Sequence, residues 1–119
     1  MKYILLMYAN ESAGPKTPQE LEAAGPVWAA LLKDAHAAGV LVSTNGVAPG
    51  SNATTVRVRN GRTLTTDGPF AETHEQMGGY FLLDCKDLDE AIRWAARIPT
   101  AEYGSIEIRP LWAPQNQGG

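Results

Sequence analysis

Apolar residues fall in short runs separated by turn-forming clusters. Lys2 to Tyr8 is apolar at odd and even positions alike, the pattern of a central strand covered on both faces. Thr17-Pro18-Gln19-Glu20 predicts a helix start. Thr17 can cap, Pro18 suits the first helical position, and Glu20 can reach back to the cap amide. Gly25-Pro26 is expected to interrupt this helix, because proline lacks an amide donor and clashes with the preceding turn. The helix is expected to restart at once. Val27, Leu31, Ala35 and Ala38 recur at helical spacing, with Trp28 and Leu32 beside them. Gly39 suits the position just past the helix end.

Val40 to Ser43 reads as a second strand. Thr54-Thr55-Val56-Arg57-Val58-Arg59 then alternates strictly, Asn60-Gly61 follows, and Arg62 to Thr66 returns. Asn-Gly between two β-rich runs predicts a type I′ hairpin. That turn sets Arg59 opposite Arg62, Val58 opposite Thr63 and Val56 opposite Thr65. Period two puts Val56, Val58, Thr63, Thr65 and Asp67 on one face. Tyr80 to Cys85 is a further strand after Gly78-Gly79, glycines that suit a bulge or a close backbone approach. Asp87-Leu88-Asp89-Glu90 opens a second helix, with Leu88, Ala91, Ile92, Ala95 and Ala96 as its buried stripe and Asp89, Arg93 and Arg97 on the wet face. Pro99 ends it, and Ser105 to Arg109 is the last strand.

The order is β-α-β, a hairpin, then β-α-β. Two helices on one face of an antiparallel sheet is the ferredoxin-like α+β pattern. Residues 1–113 are expected to form one domain and residues 114–119 a loose tail. The strands are apolar on both sides, so the sheet face away from the helices needs a cover. This predicts a homodimer packed sheet to sheet.

Composition narrows the function classes. The 119 residues carry a net charge of −3 with no basic cluster, which excludes the footprint nucleic acid requires. No stretch approaches the length of a membrane span. The single cysteine, Cys85, allows no internal disulfide. The short N-terminal apolar run is followed by Asn10-Glu11-Ser12 rather than a cleavage site, so a cytoplasmic protein is expected. Two histidines and one cysteine, far apart, offer no zinc-type spacing, and no glycine-rich loop leads into a helix to cradle phosphate. Neither a metal nor a cofactor is expected. Cys85 reads as a buried structural thiol.

Asp67-Gly68-Pro69-Phe70, Glu72-Thr73, Glu75-Gln76, Gly78-Gly79-Tyr80, Asp87 to Ala91, Trp94-Ala95-Ala96, Glu107 to Pro110 and Lys2 to Leu6 together resemble the DGPF branch of the YCII-related proteins. The resemblance covers nearly the whole chain. It implies the fold of the dimeric α+β barrels. Many members have no assigned activity, and some lie beside extracytoplasmic-function sigma factors. A dehydrochlorinase belongs to the wider family, where a His–Asp pair has been proposed as catalytic. That histidine aligns near Trp28 here. The histidines of this chain are His36, expected to face solvent, and His74, where the family commonly has lysine. The pair therefore does not carry over, and Asp67 alone has a counterpart.

Asp67 admits two readings. It can form a turn by accepting its own backbone amides, or it can serve as a general base if burial raises its pKa. Phe70 would wall a cavity or simply pack. The loop carrying Glu72, His74, Glu75 and Gln76 could do acid–base work or be a solvated surface. Three hypotheses follow. The first is small-molecule binding in a pocket of a dimeric barrel near Trp28, Ser43, Asp67, Phe70 and His74. The second is a cofactor-free lyase or isomerase using Asp67 as its catalytic base. The third is an accessory regulator that binds a sigma factor.

Overall fold

The computed structural model describes residues 1–112. Along the chain come β1 (Lys2–Ala9), α1 (Pro18–Ala37), β2 (Leu41–Gly46), a short 3-10 helix (Gly50–Asn52), β3 (Thr54–Arg59), β4 (Arg62–Asp67), β5 (Gln76–Asp84), α2 (Leu88–Ala95), a second 3-10 helix (Pro99–Glu102) and β6 (Ser105–Pro110). Four strands form one antiparallel sheet in the order β2-β5-β1-β6, while β3 and β4 pair only with each other. The chain is thus an α+β protein. Each helix connects two strands that flank a third, so both helices land on the same sheet face.

The core lies between that face and the helices. Tyr3, Leu5 and Met7 of β1 alternate inward with Phe81 and Leu83 of β5, against Leu31 and Ala35 of α1 and Ala91 and Ala95 of α2. Leu5 and Ala91 are fully inaccessible. Burying a leucine so completely contributes about 1.5–3 kcal/mol. Ile4, Leu6, Tyr80 and Leu82 point to the other face, where they are only half-buried.

The cap of α1 forms as the sequence predicts. Glu20 N donates to Thr17 Oγ1 at 3.1 Å, and Thr17 N donates to Glu20 Oε1 at 3.0 Å. The helix does not break at Gly25-Pro26 but runs through Pro26. Pro26 is exposed, so the carbonyl left without an amide faces water rather than core. The buried stripe is also rotated from expectation. Trp28, Leu31, Leu32 and Ala35 face the sheet, whereas Val27 is 53% exposed and Ala38 lies outside the core. In α2, Ala91 and Ala95 are buried, but Leu88 and Ile92 are half exposed. Asp87 caps as expected, accepting from Glu90 N at 2.9 Å. Arg97 ties the two helical segments together through a 2.7 Å ion pair with Asp34.

The strand β2 starts one residue later and ends three residues later than its apolar run suggests, and β5 extends back through Gly78-Gly79 to Gln76. The extension is possible because the β1–β5 register shifts there: Met7 pairs with Gly79 and Tyr8 with Met77, leaving Gly78 bulged out. The tail expected over residues 114–119 lies outside the described residues.

Candidate functional site

One end of the sheet opens into a cleft. β1 and β2 finish there, β5 begins there, and α1 crosses above. The cleft has a volume of about 670 Å³. Met7, Phe81, Trp28 and Leu32 form its inner wall, Thr44 to Pro49 and Gln76 to Gly78 one side, and Asn10, Glu11 and Tyr103 the mouth. Trp28 and Phe81 stack nearly parallel, with ring centroids 6.3 Å apart and planes 12° apart, so an aromatic pair lines the floor.

Backbone economy keeps this end open. A Cβ on Gly79 would stand 2.6 Å from Asn45 O and 2.7 Å from Met7 Cε, so only glycine lets β2 approach β5 there. Gly14, at φ +87, lies against the Tyr103 ring, where a Cβ would be 2.8 Å from Cε2 and Cζ. The mouth is tied across by Glu11, whose Oε2 accepts from Gly50 N at 2.7 Å. Gln76 sits beside the same glycine. Its Oε1 is buried and has no hydrogen-bond partner among the described residues. An acceptor left so carries an uncompensated desolvation cost of about 1–3 kcal/mol.

Of the five residues expected to form the pocket, Trp28 lines this cleft, and Ser43, Asp67, Phe70 and His74 do not join it within one chain; Gln76, read from the sequence as part of the loop after the motif, does line it. Ser43 lies on the sheet's second face, beside the Tyr80 hydroxyl at 3.3 Å, which also accepts from Asn45 Nδ2 at 3.2 Å. Hydrogen bonds from Ser43 and then Asn45 lower the Tyr80 pKa from its ordinary value. Phe70 is 77% exposed, and His74 and His36 are exposed.

Asp67 is exposed too, at the end of the hairpin. The hairpin has the register read from the sequence, Arg59 opposite Arg62, Val58 opposite Thr63 and Val56 opposite Thr65, with Thr54 opposite Asp67. Asn60 and Gly61 both take positive φ, 53° and 75°, as a type I′ turn demands. Yet the shared face is not turned to a cavity of its own chain: Val56 and Val58 are each 60% exposed. Nor does Asp67 form the turn. Among the described residues its carboxylate makes no hydrogen bond. The turn is held instead by Gly68 N donating to Ala53 O at 2.7 Å and Thr55 Oγ1 donating to Gly68 O at 2.8 Å.

Cys85 is buried as expected, and burial, then the neighbouring Glu90 and Asp84 carboxylates, pushes its thiol up, away from nucleophilic use. Among the described residues no group of three or more His, Cys, Asp or Glu side chains converges to hold a metal ion, and no helix is long and apolar enough to cross a membrane. Sequence reasoning missed Glu11, Asn45, Met77 and Tyr103 as cleft residues, and singled out Gln76 only as part of the loop with Glu72, His74 and Glu75. Only Asn10-Glu11 carried a signal, as polar residues directly after a fully apolar strand.

Residues 1–114 match the model of the YCII-related domain. The chain is also similar to an uncharacterised protein of Rhizobium meliloti (strain 1021), at 38% identity over 114 residues, covering 93% of this chain and 92% of that protein.

Proposed function

The chain belongs to the YCII-related family, and from that footing we propose that it binds a small molecule in the cleft beside Trp28, as one half of a ferredoxin-like, dimeric α+β barrel of the DGPF branch. The cleft carries the reading. Its volume of about 670 Å³ falls within the roughly 300–1,000 Å³ of small-molecule sites. Its walls are mainly apolar and aromatic, with a few polar groups converging at the mouth, which is how such sites combine affinity with orientation.

The dimer is supported by what one chain leaves uncovered. Ile4, Leu6, Tyr80 and Leu82 form an apolar patch on the second sheet face, and the hairpin presents Val56, Val58 and Leu64 to solvent. The chain is flat, 48 × 48 × 18 Å. Its radius of gyration is 16.6 Å, against about 13.5 Å for a compact chain of this length. A second copy laid on that face would cover the patch. An acid–base role for Asp67 needs the carboxylate covered, and a second copy over the Val56/Val58 face is the arrangement that would do so.

The test of the cleft is thermal unfolding of the full chain against a library of small aromatic and aliphatic compounds. A compound held at a hundredfold its Kd should add about 2.7 kcal/mol of stability. Ala48→Trp, which fills the cleft from an exposed position, should abolish that gain without lowering the intrinsic melting temperature. Stabilisation that persists in Ala48→Trp would show that the ligand sits elsewhere. Sedimentation equilibrium tests the dimer separately: a stable monomer at micromolar concentration removes the dimer and leaves the cleft reading standing.

A further inference from the structure

The charges around the cleft are one-sided. Among the described residues lining it, Glu11 alone carries a formal charge at neutral pH, and no lysine, arginine or histidine lines it. Glu11 uses Oε2 to accept from Gly50 N at 2.7 Å, while Oε1 makes no hydrogen bond among the described residues, so acceptor capacity remains. Gln76 adds a second acceptor close to the same glycine. A Cβ built on Gly50 would collide with its Oε1, and that oxygen is buried without a donor. Two acceptor oxygens with unused capacity thus lie near one glycine at the mouth. Tyr103 at the mouth and Trp28 on the inner wall line the same cleft, and their ring faces also attract cations.

This arrangement disfavours anions. A carboxylate or phosphate entering the cleft would meet the Glu11 charge with no cation to offset it. A protonated amine would meet an ionised carboxylate, and its remaining hydrogens could go to neighbouring acceptors. We propose that the ligand is an aromatic or aliphatic molecule bearing a protonated amine, with the ammonium set against Glu11 near Gln76 and the carbon body against Trp28 and Met77. This rests on the cleft being the ligand site and specifies what that site selects.

Three compounds of matched shape decide the matter: phenethylamine, phenethyl alcohol and hydrocinnamate, titrated calorimetrically into the full chain at neutral pH. The amine should bind about tenfold more tightly than the alcohol, with the carboxylate weakest. Glu11→Gln, which keeps an acceptor for Gly50 N, should remove the amine's advantage over the alcohol. If the alcohol or the carboxylate binds as tightly as the amine, the charge selection is overturned while the cleft reading stands. If the amine binds equally well to Ala48→Trp, the cleft reading itself fails. No binding by the amine at millimolar concentration overturns the inference.

Discussion

The Glu11 carboxylate holds the backbone amide of Gly50, thirty-nine residues further along the chain, at 2.7 Å. The bond ties the loop after β1 to the loop after β2 across the mouth of the cleft. It is exposed, so Glu11→Ala should cost global stability only about 0.5–1.5 kcal/mol. Locally the effect should be larger: hydrogen exchange at Gly50 should quicken while exchange in the β1–β5 ladder stays slow. Unchanged exchange at Gly50 would show that the loops are held by other contacts.

The two glycines of the bulge should respond differently to the same methyl group. Gly79→Ala drives a Cβ against Asn45 O and Met7 Cε and must push β2 from β5, which should cost about 1–3 kcal/mol in urea unfolding. Gly78→Ala meets nothing within 4 Å and should stay within about 0.5 kcal/mol of the parent. Equal costs would mean that the bulge lies elsewhere.

At the hairpin's end, Asp67→Asn should leave stability unchanged within about 0.5 kcal/mol, since the carboxylate is exposed and unbonded. Gly68 sits at φ +99, so Gly68→Ala should cost about 1 kcal/mol or more. Reversal of that order in a denaturation series would return the turn-forming role to the aspartate.

Val56 and Val58 contribute little to their own chain, each being 60% exposed. Replacing both with serine should shift unfolding of the isolated chain by less than about 1 kcal/mol in total. Concentration-dependent association should weaken far more if that face meets a second copy. Association unaffected by the double change would place the hairpin outside the proposed interface.

The N-terminus of α1 should be acid-sensitive. Backbone amides of Thr17 and then Lys16 hold the Glu20 carboxyl below its ordinary value. A lowered folded-state value means that the unfolded chain takes up the proton first. The stabilisation is therefore complete above the ordinary glutamate range and is lost as pH falls through the lowered value. The melting-temperature gap between the parent and Glu20→Gln should be constant near neutrality and close in acid. A gap that ignores pH would mean that the charged cap bonds are absent.

Local chemistry was the legible part of the fold. Asn60-Gly61 determined the hairpin register, and Thr17 to Glu20 announced the helix, because each signal acts within a few residues. The rotation of α1 was not legible. Leu31 and Ala35 belong equally to a stripe through Val27 and to one through Trp28, and only contact with Phe81 decides between them. Pro26 misled because its cost depends on whether the orphaned carbonyl meets water. The cleft was hidden for a different reason. Glu11, Asn45, Gln76 and Tyr103 come from four separate segments, and no spacing links them. The conspicuous Asp67-Gly68-Pro69-Phe70 motif pointed instead to a hairpin end that does not line the cleft, although Pro69 reaches the neighbourhood of Gly50.

The sheet order sets a timetable for folding. β1 is synthesised first, yet its hydrogen-bonding partners are β5, reached from Lys2 to Asp84, and β6, reached from Tyr3 to Pro110. The chain must emerge through Asp84 before the central strand has its first neighbour and through Pro110 before it has its second, and such distant pairings close slowly. Until then Ile4 to Met7 stands as an unpaired apolar edge, the kind of segment that aggregates during synthesis. The strand made earliest is the one completed last, so slower arrival of the C-terminal strand should lower yield in the cell.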